Sequence, residues 1–353
     1  MGAGRTLARA LCCWLAAACL AAPGAAQVAG IVSGPAASTQ LSMAEDLVAE
    51  GAACGVALDA IATAGSLENA TAVRGRSGVQ LGFVQEDVLE YARTMAPDDA
   101  ALRRIAQGLR VVLPLHAEEI HVLARGDVAG LADLAGRRVA VGVEGSGTLL
   151  TAGLVLDLAE VEPAARIADL APAEALEALI GGEIDAMFLV GGAPVPLLAD
   201  PRLDPAAFRL LPLTDPVLTA VYRPARIAAG AYPVAAAAVD VVAVRSVLMA
   251  YEFSPTGNAY HRASCAAVAD AAQVALARLD RLQAEGHPKW RDLDPTDLPA
   301  GWEISGCALG GLAPGRTLVC DGAQVPGPEV GPEAGGAAPE ALFLQRVCAR
   351  VGC

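Results

Sequence analysis

One pattern recurs along most of this chain: a short apolar run, a turn of small or hydroxyl-bearing residues, then a stretch of helical spacing. Residues 28–33 predict a strand and residues 41–50 a helix, with Leu41, Ala44, Leu47 and Val48 on one face. Residues 56–62 and 78–84 predict two more strands, with helices over 67–74 and 88–93. Parallel strands need long crossovers, so this βαβαβ rhythm implies a parallel sheet with helices on its faces. After a helix over 98–107, two apolar strands are expected at 109–115 and 120–125, separated by His116-Ala117-Glu118-Glu119. A helical turn at 131–136 restarts the rhythm, with strands at 139–143, 184–190 and 208–213 and helices at 149–158 and 171–180. A helix is also expected to begin near Pro194. Residues 239–248 read as a long apolar strand and 260–284 as one amphipathic helix. Residues 304–340 are Gly/Pro-rich and aperiodic, predicting a loop-like tail before a short helix at 341–351.

The sharpest local signal is Glu144-Gly145-Ser146-Gly147-Thr148, between the strand at 139–143 and the helix at 149–158. Such a corner offers unpaired N–H groups and the positive end of a helix dipole. Two readings stand: one wall of a cleft for a small anion, or an ordinary turn whose hydroxyls only cap. The neighbours favour the cleft. In a parallel α/β sheet the carboxyl ends of the strands face one crevice. The residues at those ends are Ser38, Thr39 and Gln40; Gly65, Ser66 and Asn69; Gln85 and Asp87; Ser146, Gly147 and Thr148; and Gly191 and Gly192. These are the candidate ligand-binding residues. The alternative role of each is structural: Ser66, Asn69 and Asp87 as helix caps, Gly191 and Gly192 as points of close backbone approach. Arg74, Arg125 and Arg245 are candidate carboxylate partners by bidentate pairing, with surface salt bridges as the alternative. His116, Glu118 and Glu119 lack metal-ligand spacing and are assigned to surface or hinge; His121 is assigned to the core.

Arg5, Arg9, the apolar run 11–20 and Pro23-Gly24-Ala25-Ala26 predict a secretory signal over residues 1–26. A lipid anchor at Cys19 ranks second, since no large aliphatic residue stands three before it. Removal leaves 327 residues. The signal holds two of the 25 basic residues and none of the 39 acidic ones, so the mature chain carries a net charge of −16. That charge argues against nucleic acid and anionic membranes as partners. Six of the nine cysteines remain, an even number that suggests disulfides in an exported protein. Cys307 and Cys320 bracket a short Gly-rich segment and are the candidate pair. No C-x-x-C occurs and His is sparse, so no metal or other cofactor is expected. No nucleophile elbow, H-E-x-x-H or paired-carboxylate motif is present, so no catalytic residue is assigned and no enzymatic activity is expected.

The order of motifs resembles the TAXI-type substrate-binding proteins of TRAP (tripartite ATP-independent periplasmic) transporters. The matching segments include Thr63-Ala64-Gly65-Ser66-Leu67-Glu68-Asn69, Gly82-Phe83-Val84-Gln85-Glu86-Asp87 and Ile120-His121-Val122-Leu123-Ala124-Arg125. Others are residues 131–148, Gly182-Glu183-Ile184-Asp185-Ala186 with Val190-Gly191-Gly192-Ala193-Pro194, and Ala229-Gly230-Ala231-Tyr232-Pro233. The likeness spans about residues 28–290. One segment departs: Ser33-Gly34-Pro35-Ala36-Ala37-Ser38-Thr39-Gln40 stands where the family has a glycine-rich loop with two tyrosines. The resemblance implies a type II-like two-lobed periplasmic binding protein fold. Each lobe would be a mostly parallel α/β sheet flanked by helices, with a hinge between lobes. Lobe one would comprise 27–125 plus 225–300, lobe two 126–224, followed by a Cys-containing C-terminal extension at 301–353. It also implies a monomeric periplasmic receptor that closes on a small anionic metabolite, a carboxylate or amino acid, and delivers it to the TRAP membrane subunits. A sensory protein presenting its ligand to a membrane kinase is the alternative.

Overall fold

The structure, a computed structural model, describes residues 28–95, 98–327 and 338–352. The expected signal segment and Cys353 lie outside them. The chain begins β1 (Ala29–Val32), α1 (Thr39–Ala53), β2 (Leu58–Ile61), α2 (Ser66–Gly75), β3 (Val79–Gln85), α3 (Glu86–Met95), α4 (Ala100–Gly108) and β4 (Leu109–Arg125). It continues β5 (Arg138–Ala140), α5 (Gly147–Leu158), β6 (Ala165–Ile167), α6 (Pro172–Gly181), β7 (Ala186–Gly191), β8 (Phe208–Leu210), α7 (Pro216–Thr219), β9 (Arg223–Ile227) and β10 (Val239–Tyr251). The last elements are α8 (Ala259–Ala277), α9 (Leu279–Glu285), α10 (Gly306–Gly311), β11 (Thr317–Cys320), β12 (Ala323–Pro326) and α11 (Pro339–Val351).

The main sheet has the order β2-β1-β3-β10-β4-β7-β5-β6, with β8 beside β4 and β9 beside β10. Strands β1, β2 and β3 are parallel, as are β5, β6 and β7. The long strands β10 and β4 run antiparallel to each other and to their outer neighbours. Two large hydrophobic cores divide the molecule, beside a small third cluster of Cys54, Val274, Leu318 and Cys320. The first gathers residues from Ala29 to Leu115 and from Val247 onward; the second gathers residues from Ile120 to Val244. Each of β4 and β10 therefore serves both cores. Between the apolar halves of these strands sit His116, Glu118 and Glu119 on β4 and Arg245 and Ser246 on β10, all buried. Val244 pairs with Glu118 and Ala243 with Glu119, and the register shifts at Arg245. The two cores are thus joined by a polar crossing of two strands.

Several sequence expectations need correction here. Residues 109–125 form one strand rather than two. The polar run His116–Glu119 hides this continuity, because its side chains are buried by pairing instead of by apolarity. The helix expected over 260–284 breaks at Arg278, whose φ of −110° ends α8 and caps α9. Residues 304–326 are not loop-like: they form α10 and the β11–β12 hairpin, and Val111 N–H donates to Glu303 O at 2.9 Å. The proposed Cys307–Cys320 bridge is absent. Cys54 pairs with Cys320 and Cys265 with Cys307, tying the C-terminal segment to α1 and α8. Periodicity missed the segment because disulfides and burial of Ile304, Leu309 and Phe343 hold it, not an amphipathic repeat.

A candidate ligand cleft between the two cores

A cavity of about 460 Å³ opens at the junction of the two cores. The first residues of four helices line it: Thr39 and Gln40 of α1, Ser66 of α2, Gly147 and Thr148 of α5, and Pro172 and Ala173 of α6. Unpaired N–H groups cluster at such termini and the helix dipoles present their positive ends there. Local sequence explains each start. The Ser38 hydroxyl accepts from Leu41 N–H at 3.1 Å, and Ser146 accepts from Leu149 N–H at 3.1 Å. Glu174 reaches back to accept from Ala171 N–H at 2.8 Å. Gly65 precedes α2 with φ +135°, a conformation that favours glycine, and a Cβ there would stand 3.3 Å from Gly147 N.

Ten of the thirteen expected ligand residues line this cavity: Ser38, Thr39, Gln40, Gly65, Ser66, Gln85, Ser146, Gly147, Thr148 and Gly191. Asn69, Asp87 and Gly192 do not. Asn69 is fully buried; its Nδ2 donates to Ser33 O and Phe83 O, and its Oδ1 accepts from Thr63. It staples α2 to β1 and β3. Asp87 accepts from Val88 N–H at 2.8 Å, from Thr151 Oγ1 at 2.7 Å and from Tyr222 OH at 3.2 Å. Burial pushes its carboxyl up to about 6, against the pull of those hydrogen bonds. Gly192 O accepts from Thr39 Oγ1 at 3.0 Å, and Glu68 N–H donates to Gly145 O at 2.9 Å. These contacts hold the two halves together around the cavity. The hydroxyls differ in what remains free. Ser146 donates to Val143 O at 2.7 Å as well as capping, so both its functions are engaged. Thr148 Oγ1 accepts from Val190 N–H at 3.3 Å, and Ser66 Oγ accepts from Gln85 N–H at 3.2 Å. Each of the latter two keeps a hydroxyl hydrogen to donate.

Among the described residues no Arg, Lys or His side chain lines the cavity. The three candidate carboxylate partners are elsewhere. Arg74 Nε donates to Arg104 O and its guanidinium stacks on Tyr251; Arg245 pairs with Asp297 at 2.9 Å and Glu86 at 3.5 Å; Arg125 ends β4 beside Gly182. The remaining wall is apolar, including Val143, Leu170, Phe188, Leu189 and Leu197. Nothing in the sequence separates this apolar wall from ordinary core.

Behind the cavity lies a buried polar cluster. Glu118 accepts from Gln40 Nε2 at 2.7 Å and Gln85 Nε2 at 2.6 Å. Burial pushes its carboxyl up to about 7, opposed by those amide hydrogen bonds. His116 Nε2 stands 3.7 Å from Glu118 Oε1, and burial holds the imidazole well below its usual range. Lys289, the one lysine of the sequence, is buried and pairs with Glu119 at 2.7 Å and Asp292 at 2.9 Å. Glu119 also accepts from Ala193 N–H at 2.6 Å. His121 is a satisfied core residue, with Tyr232 OH at 2.9 Å and Leu189 O at 3.2 Å; burial lowers it to about 4. The role of Glu118 beneath the cavity was not visible in the sequence, because nothing local links residue 118 to residues 40 and 85.

Residues 40–262 match the sequence model of the NMT1-like family. The chain belongs to the NMT1-like family. Solved structures similar to this NMT1-like protein include the periplasmic VFT2 domain of Bordetella pertussis BvgS, at 14% identity over 73% of this chain and 92% of that one, TM-score 0.42. Another is the GluR0 ligand-binding core of Nostoc punctiforme in complex with L-glutamate, at 17% identity over 75% and 95%, TM-score 0.39. A third is the aliphatic sulphonate binding protein SsuA of Escherichia coli, at 18% identity over 73% and 76%, TM-score 0.36. At these identities and scores the likenesses say nothing of the ligand of this NMT1-like protein.

Proposed function

We propose that this NMT1-like protein is a periplasmic solute receptor that binds a small carboxylate or amino acid between its two halves without transforming it. The observation that carries this reading is the convergence of four helix N-termini on one partly open cavity at the junction of two cores. Backbone N–H groups there can hold a carboxylate without a formal cation, and the low polarity of the wall strengthens each bond. The two strands that cross between the cores are the connection about which the halves would open. The resemblance of its motifs to those of TAXI-type proteins supports a TRAP-type membrane transporter as the partner that receives the closed form.

A thermal-shift panel of organic acids and amino acids tests the reading. A small carboxylate at one hundred times its Kd should add about 2.7 kcal/mol to stability. A panel that leaves the melting temperature unmoved throughout contradicts it.

A further inference from the structure

The floor of the cavity is built from two carboxamides that share one carboxylate. Glu118 is fully buried and takes Gln40 Nε2 on one oxygen and Gln85 Nε2 on the other. Each amide thereby commits one of its two N–H groups to Glu118, which turns its carbonyl away from the carboxylate. Gln40 Oε1 faces the Gly34 loop on the cavity side, where a Cβ on Gly34 would stand 3.0 Å from it. Gln85 Oε1 is buried without a partner and rests against Gly147, at the first turn of α5. A flipped amide would set an oxygen against a carboxylate oxygen at hydrogen-bond distance, so the charged form of Glu118, which prevails above about pH 7, forbids the flip. Gln85 Oε1 is covered by α5, so the acceptor this floor offers a ligand is Gln40 Oε1, while the helix N-termini on the walls offer donors.

We propose that Glu118 is the positioning residue that sets ligand specificity: by orienting Gln40 it selects a monocarboxylate that carries an N–H or O–H donor beside its carboxylate and has an apolar body. This deepens the receptor reading above and rests on it. An α-amino or α-hydroxy acid with a branched hydrocarbon side chain satisfies all three surfaces. Its carboxylate meets the helix N-termini, its donor meets Gln40 Oε1, and its body fills the space beside Phe188 and Leu197. A dicarboxylate would bury a second charge against an acceptor floor with no cationic side chain to meet it, which is strongly unfavourable. Plain 4-methylpentanoate would leave the Gln40 oxygen desolvated and unpaired.

Titration calorimetry on the full mature chain at about pH 8, where Glu118 is charged, tests this with four probes: L-leucine, 2-hydroxy-4-methylpentanoate, 4-methylpentanoate and succinate. The two donor-bearing acids should bind at least about tenfold more tightly than 4-methylpentanoate, and succinate more weakly still. In Glu118→Gln, which frees the amides to flip, the preference for a donor should shrink to about threefold or less. Gln40→Met is the second variant, should the first fail to fold. It keeps Glu118 paired with Gln85 and should abolish the preference while retaining 4-methylpentanoate binding. Independently of any ligand, the side-chain amide NMR signals of Gln40 and Gln85 should shift in Glu118→Gln, and unmoved signals overturn the shared orientation. Equal binding with and without the donor, succinate binding most tightly, or a preference undiminished in both variants overturns the specificity assignment and leaves a receptor of another ligand class. Failure of all four probes while another carboxylate binds does the same. Failure of every carboxylate and amino acid overturns the receptor reading, and the specificity assignment falls with it.

Discussion

Asp87 accepts a hydrogen bond of 2.7 Å from Thr151 Oγ1, and this pair joins the first half of the molecule to the second across their junction. Asp87 opens α3 beside the end of β3, while Thr151 lies on the second turn of α5. Thr151→Val keeps the shape and removes the donor, leaving a buried carboxylate oxygen with Tyr222 alone. The loss should be about 1–3 kcal/mol, the penalty of a desolvated acceptor, read by chemical denaturation. An unchanged unfolding midpoint would show that the pair does not hold the halves together.

Gly147 admits no side chain without movement, since a Cβ there would overlap Gln85 Oε1. Alanine ordinarily stabilises a helical position relative to glycine. Here Gly147→Ala should instead destabilise by about 1–3 kcal/mol, as overpacking does, and weaken ligand binding. Denaturation together with calorimetry checks both. A more stable variant with intact binding would contradict the packing of Gln85 on α5.

Opposite pH slopes should come from Glu118 and from the buried histidines. Glu118 is raised to about 7 in the folded state by burial. Its contribution is therefore full below its unfolded value, near 4.5, and is lost as pH rises through about 7. His116 and His121 are lowered by burial, so their contribution is full above about 6.5 and is lost as pH falls from there. Glu118→Gln removes only the first slope. Its melting temperature should gain on the wild type as the pH is raised from about 5 to about 8. A constant difference across that range would mean that the carboxyl does not titrate as its burial demands.

The C-terminal segment should be part of the folded first half. Peptide mapping without reduction should recover Cys54–Cys320 and Cys265–Cys307. Cys54→Ser with Cys320→Ser should cost about 2–5 kcal/mol in thermal or chemical unfolding. Recovery of a Cys307–Cys320 peptide would contradict the packing of α10 on α8.

Much of the fold was legible in the chain. The unit β1 to β3 announces itself because its strands alternate or are apolar and each turn is marked by glycine or a hydroxyl cap, as at Ser38 and Gly65. In the second unit β5 and β7 were legible, but β6, a three-residue edge strand with Arg166 at its centre, was not. The cleft was legible for the same reason: strand ends in a parallel sheet share one side, so local signals at residues 38–40, 65–66, 85 and 146–148 add up. Most of what escaped depends on partners remote in sequence. Glu118 looks like a surface charge until Gln40 and Gln85 are seen to hold it. Cys320 looks like the partner of Cys307 until α1 brings Cys54 beside it. Asn69 and Asp87 carry the residue types of a ligand site, yet their hydrogen bonds are already taken by Phe83 O and Thr151.

The binding of a small carboxylate in the cleft is tested most directly by a high-resolution crystal structure of the protein as purified or soaked with a ligand that raises its melting temperature. A carboxylate should lie in the cavity between the two cores, its oxygens facing the first turns of α1, α2, α5 and α6. A bound molecule seated elsewhere, or a cavity that stays filled only by water in the presence of such a ligand, would contradict it.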